Sequence, residues 1–331
     1  MPHDAIIASL VRLGLVGTQE AVRLTPLAGG VSSDIHLVVE VGQRRFCVKR
    51  ALARLKVAAV WEVPLGRNAA EAAWMRVVGK WLPHAVPEIL SEDAELGLFA
   101  MSFLPPEQNP VWKAELLAGH IDPGFAAAVG SHLGIIHAMS AANPQISSRF
   151  ANDETFEAIR IEPYLLATGQ AHPTLDARFK ALAASTLATR KALVHGDVSP
   201  KNILCGGHGP VFLDAECAWY GDPAFDLAFC LNHLLLKGAR KGVKRDDYLR
   251  AFLSFEAAYL AEVDWEDPSV LEARAAALLP CLLLARIDGK SPVEYLSTEA
   301  ERNAVRRFAV PLIAQPSARV GDIAELWRLA R

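Results

Sequence analysis

The sequence predicts an α+β protein in two lobes, a small β-rich N-terminal lobe (1–104) and a larger, mainly helical C-terminal lobe (105–331). Three observations carry that expectation. The chain has 331 residues, more than one ordinary domain requires. Short apolar-alternating runs separated by turn residues crowd into the first hundred positions. Beyond Pro105-Pro106 the pattern changes to long stretches of helical period. Apolar residues make up 52% of the chain, enough for a large core.

In order, residues 5–16 read as a short amphipathic helix, and Leu27-Ala-Gly29-Gly30-Val-Ser32-Ser33-Asp34 as a glycine and serine turn leading into a strand at Ile35–Val41. Gly42-Gln43 suits a hairpin turn before a second strand at Arg45–Arg50. Asn68 to Lys80 has a helical pattern that stops near Pro83. Leu98–Leu104 reads as a buried strand entering a hinge near 102–106. Phe125–Met139 is helical, with further helices expected at 155–167 and 175–190. Strand signals return only at Ala192–Val194, Ile203-Leu204 and Val211–Leu213, and from Pro223 onward the chain is largely helical. Neither internal repeats nor low-complexity tracts are visible.

Composition excludes several classes of function. A net charge of −3 offers no basic stripe for nucleic acid. The two most apolar segments, Phe225–Leu236 and Ala275–Ile287, are too short to cross a bilayer and read as buried helices. Met1-Pro-His-Asp-Ala5 shows no basic region followed by an apolar stretch, so no signal peptide and no membrane partner are expected. Five scattered cysteines without a CxxC pair read as buried reduced thiols, which suits a cytoplasmic protein. His132 and His137 lack the companions of a zinc site, and Ser199 lacks a nucleophile elbow.

The chemistry gathers in residues 195–216. Asp197 and Asn202 share a loop, since Gly196 and Pro200 exclude a continuous helix. His195 is placed to hydrogen-bond the loop backbone and fix its shape. Asp214 follows the apolar run Val211–Leu213 and is delivered at a strand end, while Glu216 points to the same side if the backbone stays extended. Phosphoryl transfer needs such a set: one carboxylate to orient and deprotonate a hydroxyl, and oxygen ligands to hold Mg²⁺ against nucleotide phosphates.

His195-Gly-Asp-Val-Ser-Pro-Lys-Asn-Ile-Leu204, Phe212-Leu-Asp214-Ala-Glu216 and Tyr220-Gly-Asp222-Pro-Ala-Phe-Asp226-Leu227 together resemble the aminoglycoside phosphotransferase and choline kinase superfamily, which has the protein-kinase-like fold. The resemblance implies ATP and Mg²⁺ as cofactors and Asp197 as catalytic base. It implies Asn202 and Asp214 as Mg²⁺ ligands, Glu216 as a further metal or water ligand, and Asp226 as a buried brace for the catalytic loop. The Asp214-x-Glu216 and Tyr220-Gly221 sequence is also similar to that of methylthioribose kinases, although it is common across the superfamily.

The fold so implied needs a strand lysine for the nucleotide phosphates and a helical carboxylate to pair with it. Phe46-Cys-Val48-Lys49 supplies the lysine, and Glu71, the one acid on the alanine-rich helix, is the preferred partner over Glu62. Gly29, Gly30, Ser32 and Ser33 stand where this fold covers the nucleotide with a loop. Adenine is expected against Met101–Leu104, through backbone groups of Ser102 and Leu104. For the acceptor, Arg286, Asp288 and Lys290 close a buried helix and suit hydroxyl or anionic groups, with Arg306-Arg307 near by in sequence. Asp246-Asp247 and the acids between Glu262 and Glu272 suit a polyamine or aminoglycoside, or else form a solvated acidic helix end. The expected activity is phosphorylation of a small-molecule hydroxyl, on a sugar or amino alcohol, with an aminoglycoside-type antibiotic as the alternative acceptor. A catalytically silent nucleotide-binding protein is the alternative of another class. Monomer and homodimer both remain open.

Overall fold

The computed structural model describes residues 2–27, 33–39, 44–51, 67–240 and 242–330. Packing divides the chain into two units, Met1–Glu107 and Gln108–Arg331. The fold is α+β, as the sequence predicts, with the main sheet in the first unit and most of the helix in the second.

The first unit comprises α1 (Pro2–Arg12), β1 (Arg23–Pro26), β2 (Ser33–Val39), β3 (Arg45–Ala51), α2 (Arg67–Trp81), β4 (Ile89–Asp93) and β5 (Leu98–Ser102). Its antiparallel sheet has the order β1-β2-β3-β5-β4. Alternation decides the faces: Phe46 and Val48 of β3, with Leu98 and Ala100 of β5, turn to a core that also takes Ile6 and Leu10 from α1. Burying each of those two α1 side chains is worth roughly 1.5–3 kcal/mol. α1 starts earlier than the expected 5–16 and stops at Arg12, shortly before Gly14 turns with φ 70°. The odd residues of β3 face away from this core, and Lys49 is among them. Strands β1 and β4 carry too few apolar residues to be legible as strands. The expected turn at Gly42-Gln43 and the candidate Glu62 lie outside the described residues.

The second unit begins with α3 (Trp112–Ala118), α4 (Pro123–Ser140), α5 (Pro144–Arg149) and α6 (Asp153–Phe156). A π-helix at Glu157–Leu166 follows, then α7 (Ala167–Ala171) and α8 (Asp176–Ala188). The sequence predicts one helix over 155–167; the observed π-register has Pro163 inside it. Proline has no N–H to donate and its ring crowds the preceding turn, so a wider turn relieves both problems.

Two short hairpin-like pairs carry the polar motifs. β6 (Ala192–Val194) pairs with β9 (Trp219–Gly221), and β7 (Ile203–Gly206) with β8 (Gly209–Phe212). β9 was not among the strand signals, because its aromatic pair is followed at once by Gly221-Asp222. The extended backbone does not persist from β8 through Glu216, so the condition for Glu216 to point to the same side as Asp214 is not met. Asp214 adopts φ 65° and a turn follows, so the alternation argument for Glu216 fails.

The remaining helices are α9 (Pro223–Gly238), α10 (Arg245–Ala261), α11 (Pro268–Asp288), α12 (Glu299–Ala314) and α13 (Val320–Leu329). α9 is buried along its whole length, and its mostly apolar sequence takes Asp226, Asn232, His233 and Lys237 into the interior with it. Its N-cap is Asp222, whose side chain accepts from the Ala224 N–H, and this cap sets Asp226 in the first turn. Among the described residues no helix is long and apolar enough to cross a membrane. The five cysteines are unpaired; four are buried, and Cys205 is partly exposed.

α4 and α10 approach closely at Gly130, where a Cβ would stand 2.3 Å from the carbonyl oxygen of Phe255. Backbone cannot yield as a side chain tip can, so Gly130→Val is expected to cost about 1–3 kcal/mol or more. Urea denaturation of the full chain checks this, and an unchanged midpoint would contradict the tight helix crossing.

Candidate active site

In the first unit, β3 and α2 bring a cation and an anion together. Lys49 Nζ lies 2.6 Å from Glu71 Oε2, and the two side chains are 2% and 1% exposed. Asn68, one turn before Glu71, fixes the helix to the sheet: its Nδ2 donates to the Lys49 carbonyl at 3.3 Å and to that of Gly97 at 2.8 Å. Such a pair is costly to bury unless geometry and further hydrogen bonds compensate, so its position on rigid elements points to use rather than to stability.

In the second unit, the segment between β6 and β7 is shaped from beneath. Asp226 Oδ2 accepts the His195 N–H at 2.7 Å, and Oδ1 accepts that of Gly196 at 2.8 Å. Gly196 turns with φ 78°, and a Cβ there would lie 2.8 Å from Cys217 Cβ, so only glycine fits. The Asp197 N–H donates to His195 Nδ1 at 3.1 Å, which places the ring proton on Nε2, donating to the Leu213 carbonyl at 3.0 Å. Burial, opposed by the carboxylates of Asp226, Asp197 and Asp214, holds the His195 pKa below its ordinary value and the ring neutral. The imidazole therefore ties the loop to the Asp214 segment.

Asp197 is 4% exposed. Its Oδ2 meets Lys201 Nζ at 3.0 Å and Arg160 Nη2 at 2.9 Å. Burial works to raise its pKa, but Lys201 and Arg160 outweigh burial and hold the carboxyl below its usual range. Both cations sit on one oxygen. Oδ1 has no hydrogen bond among the described residues, so the ionised group keeps one acceptor for an incoming hydroxyl.

Asn202 closes a short 3-10 turn at Pro200–Asn202; its Nδ2 donates to the Asp197 carbonyl at 3.1 Å, while its own carbonyl accepts from the Leu213 N–H at 2.8 Å. That last bond brings the Asp214 segment beside Asn202. The left-handed backbone of Asp214 is a strained conformation for a non-glycine residue, of a kind that gathers at functional sites. Glu216 is buried in the following turn.

Other expected site residues fall elsewhere. Gly29, Gly30 and Ser32 lie outside the described residues, and Ser33 opens β2. Met101 and Ser102 end β5, but the Ser102 N–H already donates to the Glu88 carbonyl at 2.9 Å, and its hydroxyl accepts from the Glu88 N–H. Of the two hinge groups named, the Ser102 amide is thus spent within the sheet, and Leu104 lies just beyond it. Arg286, Asp288 and Lys290 each face different partners. Asp288 is paired with Arg306 and His172, Lys290 with Glu162, and Arg286 faces the hydroxyls of Tyr164 and Ser291. Several acids near the end of α10 and the start of α11 are likewise engaged internally: Glu262 with Ser131, Glu266 with Arg274, Asp267 as the α11 cap.

Sequence reasoning missed Arg160 altogether and gave Lys201 no role. Nothing marks an arginine inside a helical run as a partner of a loop forty residues away. His137 is buried, with Nε2 3.4 Å from Asp226 Oδ2 and Nδ1 2.8 Å from the Tyr259 hydroxyl.

A model of the phosphotransferase enzyme family matches residues 23–246, well over half of the chain and both groups of residues just described. The chain belongs to that family and is a small-molecule kinase. Similar curated relatives include the methylthioribose kinase of Pectobacterium atrosepticum, 26% identical over 291 residues and covering 76% of this chain and 72% of the relative. That of Bacillus pumilus is 24% identical over 273 residues, covering 74% and 68%. Among solved structures, a choline kinase from Cryptosporidium parvum shares the fold with a TM-score of 0.59 at 13% identity, covering 94% of this chain and 97% of the other. An amicoumacin kinase in complex with AMP-PNP, Ca²⁺ and Ami gives 0.58 at 14% identity, covering 92% and 91%.

Asp226→Ala strands two buried backbone amides, at about 1–3 kcal/mol each. The variant is expected to unfold at lower urea and to lose turnover even under conditions where it remains folded. Wild-type stability in Asp226→Ala would contradict its bracing role.

Proposed function

We propose that the chain transfers the γ-phosphate of Mg·ATP to a hydroxyl of a small metabolite of the sugar or amino-alcohol kind. The observation that carries this reading is the state of Asp197: an ionised, buried carboxylate with one oxygen clamped by two cations and the other left to accept. Asp197 accepts a hydrogen bond from the acceptor hydroxyl at Oδ1, orients its oxygen, and takes the proton as the bond to phosphorus forms. The low pKa makes it a weak base, which suits a transition state where bond breaking to the leaving group runs ahead of proton loss. Lys201 and Arg160 keep the carboxylate charged and fixed in place.

Lys49, held by Glu71, binds the α- and β-phosphates, and the first unit is the nucleotide-binding one, with Gly29, Gly30, Ser32, Ser33, Met101 and Leu104 around the nucleotide. Asn202 and Asp214 offer the hard oxygen donors that suit Mg²⁺, which takes few protein ligands and fills its sphere with phosphate oxygens and water. Glu216 is a further donor in this reading. When bound, the ion neutralises charge on the phosphates. His195 and Asp226 position the loop. The unpaired thiols fit a reducing cytoplasm. The names of the relatives make methylthioribose the first acceptor to try.

Asp197→Asn is expected to lower kcat by about 10²–10⁴-fold while ATP still binds. Rapid ADP-release assays with a parallel nucleotide titration check both halves, and retained turnover would remove Asp197 as base. Lys49→Met should reduce kcat/KM for ATP by about 10-fold or more. An unchanged value would mean that the Lys49–Glu71 pair serves the fold alone.

A further inference from the structure

Two cations of the second unit lie close enough for their charges to act on each other, and among the described residues neither is paired with an acid. Lys237, in the last turn of α9, is 1% exposed. Among the described residues its ammonium has neither a hydrogen bond nor an ion pair; its close neighbour is the face of Tyr295, 4.7 Å from the ring centroid. Arg286, near the end of α11, gives Nη1 to the Tyr164 hydroxyl at 3.2 Å and to Ser291 Oγ at 2.7 Å, both neutral, and its Nε is buried without an acceptor.

The groups around them do not neutralise this charge. Lys113 of α3 takes Glu294, and Lys201 takes Asp197, so both nearby carboxylates are already matched. His233, one turn before Lys237, has Nδ1 3.4 Å from the Tyr295 hydroxyl. Burial, then the charges of Lys237, Arg286, Lys201 and Lys113, disfavour its protonated form. Lys237 itself is pushed down to about 7, by burial first and then by Lys113 and Arg286, with Cys230 and Glu294 acting the other way. An apolar side chain at Lys237 would fill the same space without the desolvation cost. A cation kept there at that cost points to a ligand that supplies the missing charge.

Its place in the fold says which ligand. The Arg160 guanidinium, 2.9 Å from Asp197, lies 5.8 Å from the ring centroids of both Tyr164 and Phe229. Arg286 lies 5.7 Å from the same Tyr164 ring, and His233 packs edge-on against Phe229 at 5.5 Å. Arg286 and the guanidinium that clamps the base thus share the Tyr164 ring, and Lys237 joins them through Tyr295 and His233.

We propose that the phosphate acceptor is itself an anion: a small hydroxylated carboxylate or phosphate ester whose oxyanion is held by Lys237 and Arg286 while its hydroxyl meets Asp197. This rests on the kinase reading above and narrows its acceptor to sugar acids, sugar phosphates and similar compounds, in place of neutral or cationic ones.

The test is ADP release over matched compounds: ribose, methylthioribose, ribonate and ribose 5-phosphate, the last two separating carboxylate from phosphate. The expected result is a kcat/KM at least about 10-fold higher for one anionic member than for its neutral counterpart. Lys237→Met and Arg286→Met should erase that preference mainly through KM, and thermal melting confirms that each variant is folded. Equal use of neutral and anionic compounds, or a preference that survives in both variants, would overturn the proposal and leave the kinase reading standing. If no compound is phosphorylated, calorimetry decides. Binding of ribonate or ribose 5-phosphate that both variants lose supports the anion site while the acceptor reading fails, and no binding overturns the site. At pH 8 that binding should also take up a proton, as Lys237 regains its charge; no uptake would remove Lys237 from the site.

Discussion

The second unit is organised around one carboxylate that never meets solvent. Asp226 holds the amides of His195 and Gly196, and through them the shape of the loop that carries Asp197. The dependence runs in a chain. The Asp222 cap starts α9 and sets Asp226 in its first turn; Asp226 shapes the loop, and His195 ties the loop to Leu213. Asn202 then links Asp197 to the segment of Asp214. Each bond is modest, at about 1 kcal/mol net, but each would strand a buried partner if broken. Such a network is stiff because its alternatives are costly, and stiffness is what positioning a hydroxyl demands.

Charge is distributed unevenly over this frame. Asp197 is over-compensated by Lys201 and Arg160, which keeps it ionised in a site that would otherwise favour its neutral form. Elsewhere in the same unit the balance reverses in kind: among the described residues Lys237 and Arg286 are cations without acids. In the reading proposed above, the first imbalance serves the transfer step and the second serves the acceptor.

Much of this was legible from the residues, and the rest was hidden for definite reasons. The loop from His195 to Asn202 and the Asp214 and Asp226 segments could be read because their spacing is local, within one stretch of chain. Lys49 and Glu71 could be read because a strand end and a single acid on an alanine-rich helix leave few choices, and the structure brings them to 2.6 Å. Arg160 could not, since its partner is distant in sequence and its helix gives no outward sign of use. The alternation assumed for Glu216 failed because Asp214 adopts a left-handed backbone that residue type alone does not announce. The set Arg286, Asp288 and Lys290 looked like one polar turn, yet neighbours on three other elements divide it. Ion pairing across a fold is a tertiary fact, and only Arg286 emerges from it without an acid.

In the proposed reaction a phosphoryl group passes from nucleotide to a hydroxyl acceptor. Phosphorus NMR of the full chain with Mg·ATP and the matched acceptors reads this directly. ADP and a new phosphate monoester on the acceptor are expected to appear one for one. ADP accompanied only by inorganic phosphate, or ATP left intact with every acceptor, would contradict it.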